Sequence, residues 1–441
     1  MTITVHPDFL PEKKYIIHVL MKVYLGLEYS LEMGTEHEYK ITLKNGHALT
    51  LEDDFFKHFC EEKHYLYEKN IPQKIDYVDS PLSPTGDLII IFGIKNIDSQ
   101  LDKIDCKIDM FAGAFFMLSR WEEGVNPARD VHGRFPAEDA LAFKCGFLNR
   151  AVVNEYVEFL WNMLTHLGIE QERKARKFAM LLTHDVDIPR LWRNAFSPIK
   201  TITGDIFKRK NRAAARQHFS YFKQKKDPFD TFDALMDESE KRNLQSHFFF
   251  ISGGSTQYEG QYKIKDFSIK KLITHIHERG HAIGIHPSYD TYHDATMLGS
   301  EIEALREVSP QSVKTGRQHF LRFDVPYTWQ IWEDNSMEWD STMGYASQVG
   351  FRCGTCYPFP VFNVLTRKQL ELVERPLLVM EVSLFSEAYM GLGQTEALKK
   401  IKEIVTTVRR YNGEFVLLWH NSNLVLNGVD YWETYRAVLN M

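Results

Sequence analysis

The sequence predicts an α/β chain in two parts: a smaller α+β N-terminal domain over 1–168, then a (β/α) barrel over 178–441. Three observations predict it. At 441 residues the chain exceeds one ordinary domain. From Phe178 onward, short apolar runs recur between helical stretches: "FAMLLTHD", "SHFFFIS", "GHAIGIH", "RQHFLRF", "LLVMEVSLF" and "EFVLLWH". Continuous apolar strands alternating with helices indicate a parallel sheet buried on both faces, and this many units suits a closed barrel better than an open sheet. Finally, the charged stretch "IEQERKARK" separates this pattern from a different one before it.

The first part reads element by element. "EYKITLKNGHALTL" alternates around Asn45-Gly46 and predicts a hairpin. "DLIIIFG" reads as a short buried strand. "FAGAFFMLSRWEEG" reads as a helix stopping near Gly124, and "NRAVVNEYVEFLWNMLTHLG" as a second, closed by Gly168. In the second part, 190–226 is a basic insertion with interleaved aromatics after the first strand. It reads as a solvated helical insertion, or as a cover over the site or a contact for an anionic glycan or a nucleotide-linked carrier.

Composition narrows the class. Hydrophobic residues make up 44% of the chain, ample for large cores, and the net charge is −6. So mild a charge points to neither a nucleic-acid partner nor an anionic membrane at the level of the whole chain. Five cysteines, an odd number, make no disulfide framework. Cys353-Gly-Thr-Cys356 reads as two reduced thiols in a turn. The start of the chain lacks a signal-peptide pattern, and no uninterrupted apolar run reaches the ~20 residues of a spanning helix. The expectation is a soluble cytoplasmic protein.

The unusual residues fall at strand ends, where α/β folds gather reactive groups. The first strand ends in Thr183-His184-Asp185-Val186-Asp187. In extended backbone, residues two apart share a side, so Asp185 and Asp187 face one place. Two carboxylates that close repel unless a cation or hydrogen bonds offset their charge. A divalent metal does so, with one Asp as ligand and the other as base for a water. The alternative is a helix cap or a pair with Arg190. His286 and His319 end other strand-like runs, and imidazole with carboxylate suits zinc or a similar cation. Trp339, Tyr345 and Arg352 read equally as a sugar-site lining and as packing under a loop. Arg120-Trp121-Glu122-Glu123 reads as an ion-pair cluster between the two parts, or as a reach to the barrel rim. Glu381 and Glu387 flank a late strand as supporting groups.

Taken in order, these motifs resemble the polysaccharide deacetylases, the NodB-homology or carbohydrate esterase family 4 group, over about 178–425. The residues that carry the resemblance are Thr183-His-Asp185-Val-Asp187, Gly280-His-Ala-Ile-Gly-Ile-His286, Arg317 to Pro326, and Leu418-Trp-His420. "FFMLSRWEE" and "HGRFPAEDALAFKCGFLNRAVVNEYV" resemble an unnamed domain that precedes such deacetylases in some bacterial surface-glycan gene clusters. The resemblance implies a distorted (β/α) barrel and a metal-dependent hydrolase that removes N-acetyl groups from a sugar or polysaccharide.

Position by position, Asp185 matches the family's base, His286 its first metal histidine, and His420 the acid towards the leaving amine. Arg317 matches the arginine that orients the base, with Arg322 as the alternative. Asp187 takes the metal-binding aspartate's role, because Val186 occupies the family's slot; the two Asp roles could be exchanged. Asp290 stands where the family has its second histidine, so either His319 or Asp290 completes the ligand set, His319 being preferred. A carbohydrate bearing N-acetyl groups is the implied partner, with no nucleic acid and no integral membrane segment. Two other readings stay open: a non-catalytic glycan-binding barrel with a degenerate metal site, and an O-acetyl esterase on the same scaffold.

Overall fold

The computed structural model describes residues 1–441. Two sheets organise the chain. The first contains six strands: β1 (Thr2–Val5), β2 (Ser30–Met33), β3 (Glu38–Thr42), β4 (Ala48–Glu52), β7 (Gly93–Ser99) and β8 (Lys103–Ile108), in the order β2-β1-β3-β4-β8-β7. Between β4 and β7, β5 (Asp76–Asp79) and β6 (Asp87–Ile90) pair as a separate two-stranded sheet, and β6 is the "DLIIIFG" segment. The hairpin read at Asn45-Gly46 is β3–β4, its connection held at Gly46 with φ +87°. A positive φ costs glycine nothing.

Met110–Ser119 forms a helix that is buried all round. The Asp109 side chain caps it, accepting from the Ala112 N–H at 2.9 Å. The single helix read through "FAGAFFMLSRWEEG" is in fact two. Arg120 adopts φ +51° and breaks it, and Trp121–Val125 makes a short second piece. That break turns Arg120 and Glu123 inward to a buried cluster. Val152–His166 is the next long helix, followed by Gly168 at φ +79°.

The second sheet holds nine strands: β9 (Ala179–Val186), β10 (Ser246–Phe250), β11 (Ala282–Ile285), β12 (Thr315–Gly316), β13 (Trp339–Asp340), β14 (Phe359–Asn363), β15 (Lys368–Glu374), β16 (Val379–Met380) and β17 (Glu414–Leu418). Their order is β14-β15-β13-β12-β11-β10-β9-β17-β16, and every pair but β14–β15 is parallel. The paired order has two ends, β14 and β16, so hydrogen bonding alone does not describe a closed ring. The sheet nonetheless curls strongly. Arg375, just past β15, and Glu414 of β17 stand towards opposite ends of the order, yet their side chains approach to 3.5 Å. Leu181 of β9, Leu418 of β17, Met380 of β16 and Leu321 share a small apolar cluster on the enclosed side.

Two of the strand readings differ from the fold. "RQHFLRF" is not a strand. The strand is the two residues before it, and His319–Leu321 is a tight turn in which Phe320 and Leu321 take φ +59° and +55°. "LLVMEVSLF" holds only a two-residue strand, Val379–Met380; Glu381–Phe385 is helical. In both, apolar residues packed around an irregular backbone mimic a strand's composition. Asp340 ends β13 and is fully buried. Cys353 and Cys356 are buried free thiols, and burial pushes both well up from the ordinary thiol value. No helix is long and apolar enough to cross a membrane.

The two sheets share one apolar core of 105 buried residues. Tyr15 packs on Phe362 at 4.8 Å between ring centroids, and Phe115 on the same ring at 5.5 Å. A buried ionic cluster crosses the same boundary. Glu123 accepts from Arg120 Nε at 2.8 Å and from Arg352 Nε at 2.9 Å, and Arg120 also donates to the Tyr345 hydroxyl at 3.2 Å. Arg352 and Tyr345 are thereby committed to this cluster rather than to a sugar site. Burial alone raises the Glu123 carboxyl's pKa, but Arg352 and Arg120 more than offset that and hold it at about 2, below the ordinary 4.5.

Removing one partner of a buried charge cluster strands the others, so Glu123→Ala is expected to cost about 3–5 kcal/mol in urea denaturation. A loss under about 1 kcal/mol would show that the cluster does not hold the two sheets together. Because the folded pKa is depressed, Glu123's contribution is present above pH 4.5 and is lost as pH falls towards 2.

Candidate metal centre

Every strand-end residue singled out in the sequence lies at the carboxyl end of a parallel strand. Asp187 follows β9, His286 follows β11, Arg317 follows β12, and His420 stands two residues past β17. β9 is central, paired with β10 on one side and β17 on the other. Its last residues are buried on both faces. The alternation works as strand geometry requires. Thr183 and Asp185 point to the enclosed side. His184 points away into the core, donating to the Trp419 carbonyl at 2.7 Å and contacting the Ser246 hydroxyl at 3.2 Å.

Asp187, His286 and His319 converge. One ligand atom from each lies within 4.8 Å of the others. Asp187 Oδ1 is 3.3 Å from His286 Nε2 and 3.8 Å from His319 Nε2. That oxygen is buried and has no hydrogen-bond partner. An orphaned carboxylate oxygen facing two imidazoles is what a divalent cation would satisfy. The far side of each ring is already tied: His286 Nδ1 donates to the Arg317 carbonyl at 2.7 Å, and His319 Nδ1 meets Glu259 Oε1 at 3.3 Å. Those contacts fix the tautomer that leaves each Nε2 free for a metal. One carboxylate and two imidazoles form a donor set suited to a first-row divalent cation, so this group can hold a metal. Asp290 stands apart from it, paired with Arg322 at 2.9 Å.

Asp185 has a different environment. Its Oδ1 accepts from Arg317 Nη1 at 2.9 Å, and its Oδ2 lies 3.7 Å from His286 Nε2. Arg317 has no exposure and is fully engaged. It also donates to Thr183 Oγ1 at 2.9 Å, to the Ser341 carbonyl at 2.7 Å and to the Ser341 hydroxyl at 3.0 Å. Arg322, the alternative partner, instead donates to the Tyr289 and His132 carbonyls and stacks on Tyr289.

His420 faces the group from β17. Its Nε2 is 3.7 Å from Asp187 Oδ2, and its Nδ1 contacts Glu381 Oε1 at 2.6 Å. Burial lowers its pKa, but Glu381 above all, with Asp187 and Asp185, raises it to about 10. Burial raises the Asp187 carboxyl in turn, yet the three imidazoles around it bring it well below the ordinary range. His286 ends above its ordinary value because Asp185 and Asp187 outweigh its burial.

These groups line a cavity of about 170 Å³. Its floor is the Asp-His cluster, and Leu321, Met380 and Leu418 form an apolar wall. Phe320 projects into it from its left-handed backbone, a conformation that costs about 1–3 kcal/mol and persists where the surroundings enforce it.

Three contributors had gone unread in the sequence. Glu259 orients His319, and its place in the loop after β10 is itself a strand-end signal. Burial raises its carboxyl, but His319, Thr256 and the Tyr289 N–H hold it at about 2. Arg134 and Tyr389 close the cavity's rim, 3.3 Å apart, and Arg134 also donates to the Phe320 carbonyl at 3.0 Å. Arg134 comes from the N-terminal part, and no local pattern announces so distant a contact. Of the two acids flanking the late strand, Glu381 supports His420, whereas Glu387 is exposed and does not line the cavity.

Comparison with known proteins adds little to this geometry. The model of a family of unknown function, DUF7033, matches residues 1–168. No curated protein matches the chain. Among solved structures, the crystal structure of a Mycobacterium smegmatis protein provisionally named a polysaccharide deacetylase is similar at a TM-score of 0.40. Its sequence identity is 17%, with 60% of this chain and 84% of that one covered. So distant a likeness bears no weight beside the side-chain arrangement.

Zinc titrated against a competing chromophoric chelator should bind the wild-type protein, while His286→Ala should lose binding. Glu259→Gln should weaken it by about 10–100-fold, the usual penalty for losing a group that orients a ligand histidine. Equal affinity in wild type and His286→Ala would separate this cluster from any metal.

Proposed function

We propose that the protein is a metal-dependent deacetylase that hydrolyses N-acetyl groups on a carbohydrate, with 178–441 forming a (β/α) barrel of the deacetylase type and 1–168 a preceding domain. The observation that carries this reading is the convergence of Asp187, His286 and His319 on an orphaned carboxylate oxygen, with Asp185 and His420 on either side. The order of the motifs along the chain supports it independently.

In this reading Asp187, His286 and His319 hold a divalent cation, zinc by donor type. When bound, such a cation supplies Lewis acidity towards an acyl oxygen and towards water. The protein's own groups do the rest. Arg317 donates to Asp185 and fixes its position, so that Asp185 can accept a proton from the attacking water. Water's oxygen bonds to the acetyl carbon, and the carbon–nitrogen bond breaks. His420, kept protonated by Glu381, gives its proton to the departing amine, which is otherwise a poor leaving group. Acetate and a free amino sugar result. Leu321, Met380 and Leu418 present an apolar surface fit for an acetyl methyl.

The experiment is acetate release from N-acetylated oligosaccharides by the zinc-loaded protein, read together with an amine-reactive probe. Both products should appear together, and a chelator should stop both. Asp185→Asn should lower kcat by about 10²–10⁴-fold, the worth of a positioned base, while zinc stays bound. Acetate without amine would point to an O-acetyl ester instead. Undiminished turnover in Asp185→Asn would remove the reading.

A further inference from the structure

We propose that the helical hairpin inserted after β9 is a docking surface for an anionic phospholipid bilayer. The hairpin consists of the helices Ser197–Phe207 and Arg212–Lys223. Two independent properties meet on it. One is exposed apolar surface. Of the seventeen large hydrophobic side chains that the molecule exposes, six lie in 196–222: Phe196, Ile199, Ile206, Phe207, Phe219 and Phe222. Phe196 is 80% exposed and Phe207 76%. The other is charge. Residues 191–226 hold ten Lys or Arg and a single acid, Asp205, in a chain whose net charge is −6. Asp205 is buried and pairs with Arg209 and His218, so it offsets one of the ten cations and leaves nine without an acid in the segment.

The two properties share helix faces. Phe196, Lys200, Thr203 and Phe207 recur at helical spacing, with Ile199 and Ile206 beside them. On the second helix Arg212, Arg216, Phe219 and Lys223 do the same. Outward-facing Phe and Ile interleaved with Lys and Arg are the composition of helices that lie in a bilayer interface, the apolar groups entering the acyl boundary and the cations meeting lipid phosphates.

The hairpin is mounted on the body rather than hanging from it. Asp205 and His218 bridge its helices at 2.7 Å, Asn211 donates to the Asn427 carbonyl at 2.9 Å, and the Asp227 carboxylate accepts from the Leu191 and Trp192 N–H groups at its base. It leaves the sheet directly after Asp187, and Asn421, next to His420, donates to the Ile188 carbonyl at 3.0 Å. Docking through it therefore holds the candidate metal centre's side of the sheet near the lipid surface.

Charge decides among occupants. A second copy docking through the same face would oppose like-charged patches, which is repulsive at contact distance. Nucleic acid would accept the cations and its bases could stack on the phenylalanines, but it offers no apolar partner to Ile199 and Ile206. A bilayer rich in anionic headgroups matches both the cations and the aliphatic side chains.

The test is co-sedimentation of the full-length protein with vesicles of phosphatidylglycerol and phosphatidylcholine, against phosphatidylcholine alone. Partition onto the anionic vesicles is expected, falling as salt rises. Phe196→Ser/Phe207→Ser and Lys200→Glu/Lys208→Glu/Lys210→Glu should each reduce it by at least about tenfold. All five positions are exposed, so circular dichroism and the melting temperature should be unchanged. Absence of partition, equal partition onto both vesicle types, or partition unaffected by charge reversal would overturn the proposal. So would a patch that mediates self-association or RNA binding without vesicle binding.

Discussion

A guanidinium with no exposure to solvent stands at the centre of the large sheet. Taking Arg317 out of water is costly unless its donors are used, and here four hydrogen bonds use them, to Thr183, Asp185 and Ser341. Those partners belong to β9 and to the turn after β13, on either side of β12 in the strand order. One side chain thus ties the curl of the sheet to the position of Asp185. The Arg317 backbone adds a second link, because its carbonyl accepts from His286. The pose of the first imidazole of the cluster and that of the neighbouring carboxylate therefore derive from one residue.

The same economy runs through the outer groups. Glu259 holds His319, Glu381 holds His420, and the Arg317 carbonyl holds His286. Each ring is fixed at Nδ1 and offers Nε2 to one small volume. With Asp185 and Asp187 also present, the volume gathers two carboxylates and three imidazoles. Such a collection is stable only if charges of both signs are balanced or a cation is shared. The raised His420 and the lowered Asp187 are the protein's own version of that balance.

Much of this is legible in the sequence. Period-two geometry placed Asp185 and Asp187 on one side of β9, and apolar runs located β10, β11 and β17 because strands buried on both faces need continuous hydrophobicity. What escaped was set by tertiary context. β12 and β13 have two residues each, too short for any periodicity. The turn carrying His319 reads as a strand because Phe320, Leu321 and Phe323 are apolar for a different reason: they pack around a backbone forced to positive φ. Asp290 competes with His319 on spacing alone; in the fold Asp290 pairs with Arg322, while His319 faces Asp187. Arg134 could not be foreseen, since it meets Phe320 from 186 positions away.

That last contact bears on how the two parts of the chain relate. If residues 1–168 were a detachable neighbour, their interface would resemble a modest, polar surface. Instead Tyr15 and Phe115 pack on Phe362 within a shared core, the buried Glu12 pairs with the half-buried Arg367 at 2.8 Å, and Glu123 pairs with Arg352, both buried. Burying charges in this way is costly for either part alone and stabilising only when both are present. Arg134, held by Asp130, then extends from this joint structure to the cavity rim. The region matched by a family of unknown function therefore contributes Arg134 to the wall around the Asp-His cluster.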